Sequence, residues 1–117
     1  MSVPQPAPFR TTLDAVDPST QVLACFGELD MATAPGFQAA LEEVTAPALV
    51  VDLTGLQFLD STGIGAILSA KRQRPDRLSV VVAGGPVRRI LEVTSLDDVL
   101  AVRATLGDAV AATAAAP

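Results

Sequence analysis

Apolar and polar residues alternate from Phe9 to Val16, with Phe9, Thr11, Leu13 and Ala15 on one side and Arg10, Thr12 and Asp14 on the other. A period of two describes a strand with one wet face, which belongs at the edge of a sheet. Asp17, Pro18 and Ser19 are turn residues, and in Gln21 to Phe26 apolar side chains occupy both parities. The two segments therefore predict a hairpin whose second strand lies further inside. Beyond Gly27-Glu28-Leu29-Asp30 the period changes: Phe37, Ala40, Leu41 and Val44 stand at i, i+3, i+4 and i+7, one buried helical stripe. Thr33 ahead of Pro35 marks its start and Pro47 its stop.

Ala48 to Leu53 is apolar except for Asp52, as expected of a central strand covered on both faces. Ile64, Ile67 and Leu68 restart the helical period, which Pro75 ends. Leu78 to Ala83 predicts another buried strand. Gly84-Gly85-Pro86 then turns the chain into a third helix with the inner stripe Val87, Ile90 and Leu91, extended by Thr94. Val99 to Ala104 reads as a last strand and Leu106 to Ala115 as a last helix. Residues 1 to 8, with Pro4, Pro6 and Pro8, predict a flexible lead-in, leaving 9–117 as one domain. Strands alternating with helices imply an α/β fold, a mostly parallel mixed sheet of five strands flanked by four helices.

Composition narrows the chemistry. The chain has 117 residues, a formal charge of -5, no His, Trp or Tyr, and one Cys; half of it is apolar and 3% aromatic, so the core is built from Ala, Val, Leu and Ile. Without His there is no Ser-His-Asp or Cys-His triad and no His-Cys zinc site. Cys25 has no partner for an internal disulfide and, inside Val22 to Phe26, reads as a small buried hydrophobe, which favours a reducing compartment. No apolar run approaches the length of a membrane span. These features predict a cytoplasmic protein with no membrane insertion. The acidic balance argues against direct nucleic-acid binding, and the basic run Lys71, Arg72, Arg74 and Arg77 reads as a solvated helix end.

Three local features are candidates for chemistry. Gly63-Ile64-Gly65 and Gly84-Gly85 stand at helix starts, but neither completes a phosphate-binding or dinucleotide pattern, so both read as tight turns and close packing. Glu28, Asp30, Asp52 and Asp60 are carboxylates, with Asp52 and Asp60 expected near the carboxyl ends of the central strands; capping outranks acid-base work for each. The third is Asp60-Ser61-Thr62, three helix-starting groups between an apolar strand and an apolar helical stripe. One cap needs one of them. The surplus hydroxyls read as an exposed, modifiable helix start, with redundant capping as the alternative.

Three segments in order, Gly27-Glu28-Leu29-Asp30, Asp60-Ser61-Thr62-Gly63-Ile64-Gly65 and Gly85-Pro86-Val87-Arg88-Arg89-Ile90-Leu91-Glu92-Val93-Thr94-Ser95-Leu96, resemble the STAS domains of the bacterial anti-sigma factor antagonists, over residues 9 to 112. The resemblance implies a STAS-like sheet flanked by helices, no enzymatic activity and no cofactor or metal. It implies an anti-sigma factor with serine-kinase activity as partner, and a protein phosphatase that resets the chain. It places phosphorylation at Ser61, with Thr62, which replaces a second Ser found in many members, as the alternative acceptor. The partner surface expected from it comprises Asp30, Asp60, Ser61, Thr62, Gly63 and Ile64. The link Lys71 to Arg77 is more basic and tighter than the glycine-containing link of the family. The rival readings are an unswitched STAS binding module of a lipid-transport or signalling complex, and a small enzyme using Asp52 or Asp60.

Overall fold

The computed structural model of the chain describes residues 8–114. Apart from Pro8, the lead-in read at 1–8 lies outside the described residues, as does Ala115 at the end of the last helix. The predicted hairpin is present: β1 (Arg10–Asp17) pairs antiparallel with β2 (Thr20–Leu29), and in the turn the Ser19 amide donates to Asp17 Oδ1 at 2.8 Å. From β2 the sheet continues through parallel pairs to β3 (Ala48–Leu59), β4 (Leu78–Val81) and β5 (Val102–Arg103), in the order β1-β2-β3-β4-β5. The edge position of β1 and the central position of β3 are those expected from alternation and from a continuous apolar run.

The helices are α1 (Ala34–Glu42), α2 (Ser61–Gln73), α3 (Pro86–Val93) and α4 (Leu106–Ala114). Phe37 of α1, Ile67 of α2 and Val87 and Leu91 of α3 join the main core with Leu23, Leu49, Val51 and Leu53 of the sheet. On the opposite face Val22, Val50 and Val81 pack against Ala109 and Val110 of α4. Both faces of β3 are thus covered over Leu49 to Val51, where every side chain is buried; each such aliphatic residue contributes about 1.5–3 kcal/mol.

Several expectations are corrected. Strands β2 and β3 run past Phe26 and Leu53 to Leu29 and Leu59, because their pairing survives two register shifts, between Ala24 and Phe26 and between Gly27 and Glu28. Gly27 has φ 92 at the second shift, a conformation that glycine adopts freely. The ring of Phe26 fills the space that a Cβ on Gly55 would need. Asp52 is consequently far from the end of its strand: it pairs with Ala24 and Val81, roughly 20 Å short of Leu59 at strand rise. Strand β5 is shorter than Val99 to Ala104, since Leu96 to Ala101 form a turn in which the Leu100 amide donates to Leu96 O and the Val102 amide to Asp97 O. Strand β4 likewise stops at Val81, before the predicted Ala83, although the Val82 amide still donates to Arg103 O. Ala15 is exposed, near a register irregularity between Ala15 and Asp17. The buried stripe of α2 is Gly63, Ala66, Ile67 and Ala70, with Ile64 and Leu68 half-buried at its border; small residues bring this helix close to the sheet.

Candidate functional site

Two neighbouring parallel strands deliver the motif residues to one edge. Leu29 and Leu59 are register partners, so Asp30 and Asp60 leave adjacent strands spaced about 4.8 Å apart. The Asp60 amide donates to Leu29 O at 3.3 Å, tying the two exits together. Asp60 is the N-cap of α2: its backbone is extended, its carbonyl accepts from the Ile64 amide at 2.9 Å and its Oδ1 accepts from the Gly63 amide at 3.0 Å. A cap of this kind contributes about 1 kcal/mol. Ser61 and Thr62 are therefore the first two residues of the helix. Both are exposed, and among the described residues their hydroxyls and their amides make no hydrogen bond. The capping is done by one residue, and two hydroxyls remain over solvent at the positive end of the helix dipole.

The β2–α1 corner is built differently. Asp30 Oδ1 accepts from the Ala32 amide at 3.0 Å and the Thr33 amide at 3.1 Å, while the Thr33 hydroxyl donates to Glu28 O at 2.7 Å and accepts from the Asp30 amide at 2.9 Å. Asp30 is thus a turn-holding carboxylate placed beside the α2 start. Thr33 heads α1 as expected, but its hydroxyl turns back to β2 instead of capping the helix. Residue composition missed Met31: it is 76% exposed at the tip of this corner, and Phe58, in register with Glu28, is 45% exposed. The signal was a methionine with no place in the Phe37 stripe, directly after the motif aspartate.

The two glycines of the α2 start have opposite roles. A Cβ on Gly63 would lie 2.6 Å from Leu29 O and 2.7 Å from Leu59 Cδ1, so close packing demands glycine there. A Cβ on Gly65 would meet nothing within 4 Å, and its φ is not positive. Tight packing or turning, expected of both, explains Gly63 only; at an exposed helical position glycine costs about 1 kcal/mol relative to alanine. In the other glycine pair Gly85 has φ 89 as the N-cap of α3, which is the turn role expected. An open concavity of about 730 Å³ at that corner is lined by Gly84, Gly85, Arg88, Arg89 and Glu92 and does not include Ser61.

The remaining candidates have contacts within the fold. Ile64 is half-buried against the main core. Asp52 Oδ1 accepts from the Thr54 amide at 2.9 Å. Cys25 is fully buried, and burial first, then the Asp52 charge, pushes its thiol up to about 12, an unreactive form. The basic run is more than a solvated helix end: Lys71 Nζ donates to Leu78 O at 2.7 Å, and Arg74 Nη1 to Ala46 O at 2.7 Å and Pro47 O at 3.0 Å. Among the described residues no helix is long and apolar enough to cross a membrane, and no group of three or more Cys, Asp or Glu is arranged to hold a metal ion.

This architecture and motif order have close counterparts. The family model described as "Mlab, STAS domain" matches residues 13–104. The chain belongs to the STAS domain family. Within it, the chain is 35% identical over 109 residues to the anti-sigma-F factor antagonist RsfB of Mycobacterium tuberculosis, covering 88% of this chain and 89% of RsfB. The crystal structure of an anti-sigma factor antagonist from Mycobacterium paratuberculosis superposes with a TM-score of 0.82 at 31% identity, over 92% of this STAS chain and 95% of that one. The Bacillus cell fate determinant SpoIIAA in its phosphorylated form is similar in fold alone, with a TM-score of 0.59 at 22% identity over 87% of this chain and 97% of that one. By homology the chain is a member of the anti-sigma factor antagonists.

Proposed function

We propose that this STAS protein works in the cytoplasm by binding an anti-sigma factor that is also a serine kinase, freeing a sigma factor, and that phosphorylation of Ser61 by this partner ends the complex until a phosphatase removes the phosphate. The observation that carries the reading is the division of labour at the α2 start: Asp60 caps the helix, leaving the exposed Ser61 hydroxyl without a structural task. Thr62 is the alternative acceptor. The names of RsfB and of the M. paratuberculosis protein support the partner class, and the phosphorylated form of SpoIIAA supports a phosphate on a protein of this fold.

A phosphate adds about -1.5 to -2 charges. With the Gly63 amide already held by Asp60, its oxygens have the Ser61 and Thr62 amides and the helix dipole to meet, so the fold survives. A partner surface fitted to a neutral hydroxyl must instead accommodate phosphate and the Asp60 carboxylate side by side. A penalty of about 3 kcal/mol weakens binding roughly a hundredfold, enough for a switch. Incubation with the kinase and ATP, followed by site-resolved mass spectrometry, is expected to find phosphate on Ser61; phosphate found only outside Ser61 and Thr62 removes the proposal. Ser61→Ala should bind the anti-sigma factor like wild type and Ser61→Asp much more weakly. Equal affinity of all three would leave the chain an unswitched binding module.

A further inference from the structure

Within the α2 start, Gly65 is a glycine that the fold does not require. Nothing stands within 4 Å of where its Cβ would be, its backbone is not in the left-handed region, and it is exposed in the interior of a helix of 13 residues. It lies four residues after Ser61 and three after Thr62, hence on the same face of α2 one turn below the hydroxyls. Helical side chains lean toward the amino terminus, so a side chain at 65 would stand over the surface beside Ser61. A kinase that modifies Ser61 has to bring its phosphoryl donor to about 3–3.5 Å from the hydroxyl, so part of the kinase comes close to this stretch of α2. A glycine here leaves a gap in the side-chain cover between Ser61 and Thr62 above and Leu68 and Ser69 below, where another chain can come closer to the helix backbone.

We propose that Gly65 is a clearance in the anti-sigma factor interface, over which the partner's main chain passes when Ser61 enters the phosphoryl-transfer site. This rests on the reading of Ser61 as the residue the kinase modifies. It extends the partner surface from the helix start down the exposed face of α2. It also fixes what the partner brings there: closely packed backbone, not a side chain reaching into a pocket.

The test uses the full chain, with purified anti-sigma factors of its source organism and the anti-sigma-F factor of M. tuberculosis as probes. Wild type, Gly65→Ala, Gly65→Gln and Gly107→Ala are compared for melting temperature, affinity and rate of Ser61 phosphorylation. Gly107 is the control: exposed and helical, with nothing within 4 Å of its missing Cβ, but on α4. Gly65→Ala is expected to raise the melting temperature by about 3 °C while weakening the complex about tenfold, and Gly65→Gln to weaken it about a hundredfold; phosphorylation slows in the same order. Gly107→Ala should leave binding unchanged. If wild type binds a probe and both Gly65 variants bind it equally well, the clearance alone is overturned. A lower melting temperature for Gly65→Ala overturns it too, because the glycine would then serve the fold. If wild type binds none of the probes, the partner reading falls and takes the clearance with it.

Discussion

Polar side chains crowd both ends of the parallel sheet, yet the two ends use them differently. At the amino edge, where β2, β3 and β4 begin, they are tied to the backbone: Lys71 to Leu78 O, Arg74 to Ala46 O and Pro47 O, and Gln21 Oε1 to the Thr45 and Ala46 amides at 2.8 Å each. Burial even holds the Lys71 ammonium below its ordinary pKa, with Asp76 opposing and Arg103 reinforcing the shift. At the carboxyl edge Asp30 and Asp60 close the corners, while Ser61, Thr62 and Met31 face solvent with no structural task. Strand exits and helix starts converge at this edge. The contrast separates side chains that hold the fold from exposed ones that make no hydrogen bond in it, which a polar cluster in sequence does not.

The largest effect is expected at Gly63, the most tightly packed residue of the α2 start. Gly63→Ala sets a methyl against the Leu29 carbonyl, a backbone atom that cannot rotate away, and should cost about 3 kcal/mol. Thermal unfolding should show a fall of more than about 10 °C, with any loss of partner binding following the loss of fold. A melting temperature within a few degrees of wild type would mean that the α2 start tolerates displacement from the sheet, and that its close packing does not fix the position of Ser61.

At the amino edge the expected effect is smaller and confined to stability. Arg74→Ala removes a charged donor from two carbonyls between α1 and β3, about 1.5 kcal/mol at a half-exposed site, while affinity for the anti-sigma factor stays unchanged. Arg74→Lys should recover part of the loss, since one nitrogen, Nη1, makes both bonds and an ammonium has donors for both carbonyls but a shorter reach. A drop in affinity with stability preserved would make the amino edge a second partner surface and dissolve the distinction between the two ends.

Periodicity made the fold legible: the edge strand, the hairpin, the central strand and the helices follow from spacings of two and three to four along Phe9 to Leu106. It failed where pairing overrides pattern. Strands β2 and β3 continue to Leu29 and Leu59 because glycines at 27 and 55 allow the register to shift, and no apolar alternation announces that. Strand β5 shrinks because Ala101, at φ 51, bends the chain into a turn. For the site, the run Asp60-Ser61-Thr62 showed a surplus of hydroxyls but not which residue caps; that required the Asp60 Oδ1 to Gly63 amide bond. The different surroundings of Gly63 and Gly65, one packed against Leu29 O and the other open, are likewise invisible in sequence, since a glycine is recorded without the space around it.

The smallest expected effect is the sharpest test of the carboxyl edge. Because the Ser61 and Thr62 hydroxyls bond to nothing among the described residues and the cap is Asp60, the double variant Ser61→Ala, Thr62→Ala should leave unfolding free energy within about 0.5 kcal/mol of wild type. Alanine is also a better helix former than either residue, so the sign should be neutral to slightly stabilising. Removal of the Thr33 hydroxyl, which holds Glu28 O and the Asp30 amide, offers the contrast within the same edge, because there a structural hydroxyl is lost. Should the double variant lose 1 kcal/mol or more in denaturant unfolding, a typical cap contribution, the hydroxyls would be caps after all, and a phosphate on Ser61 would then have to disrupt the helix start as well as the partner surface.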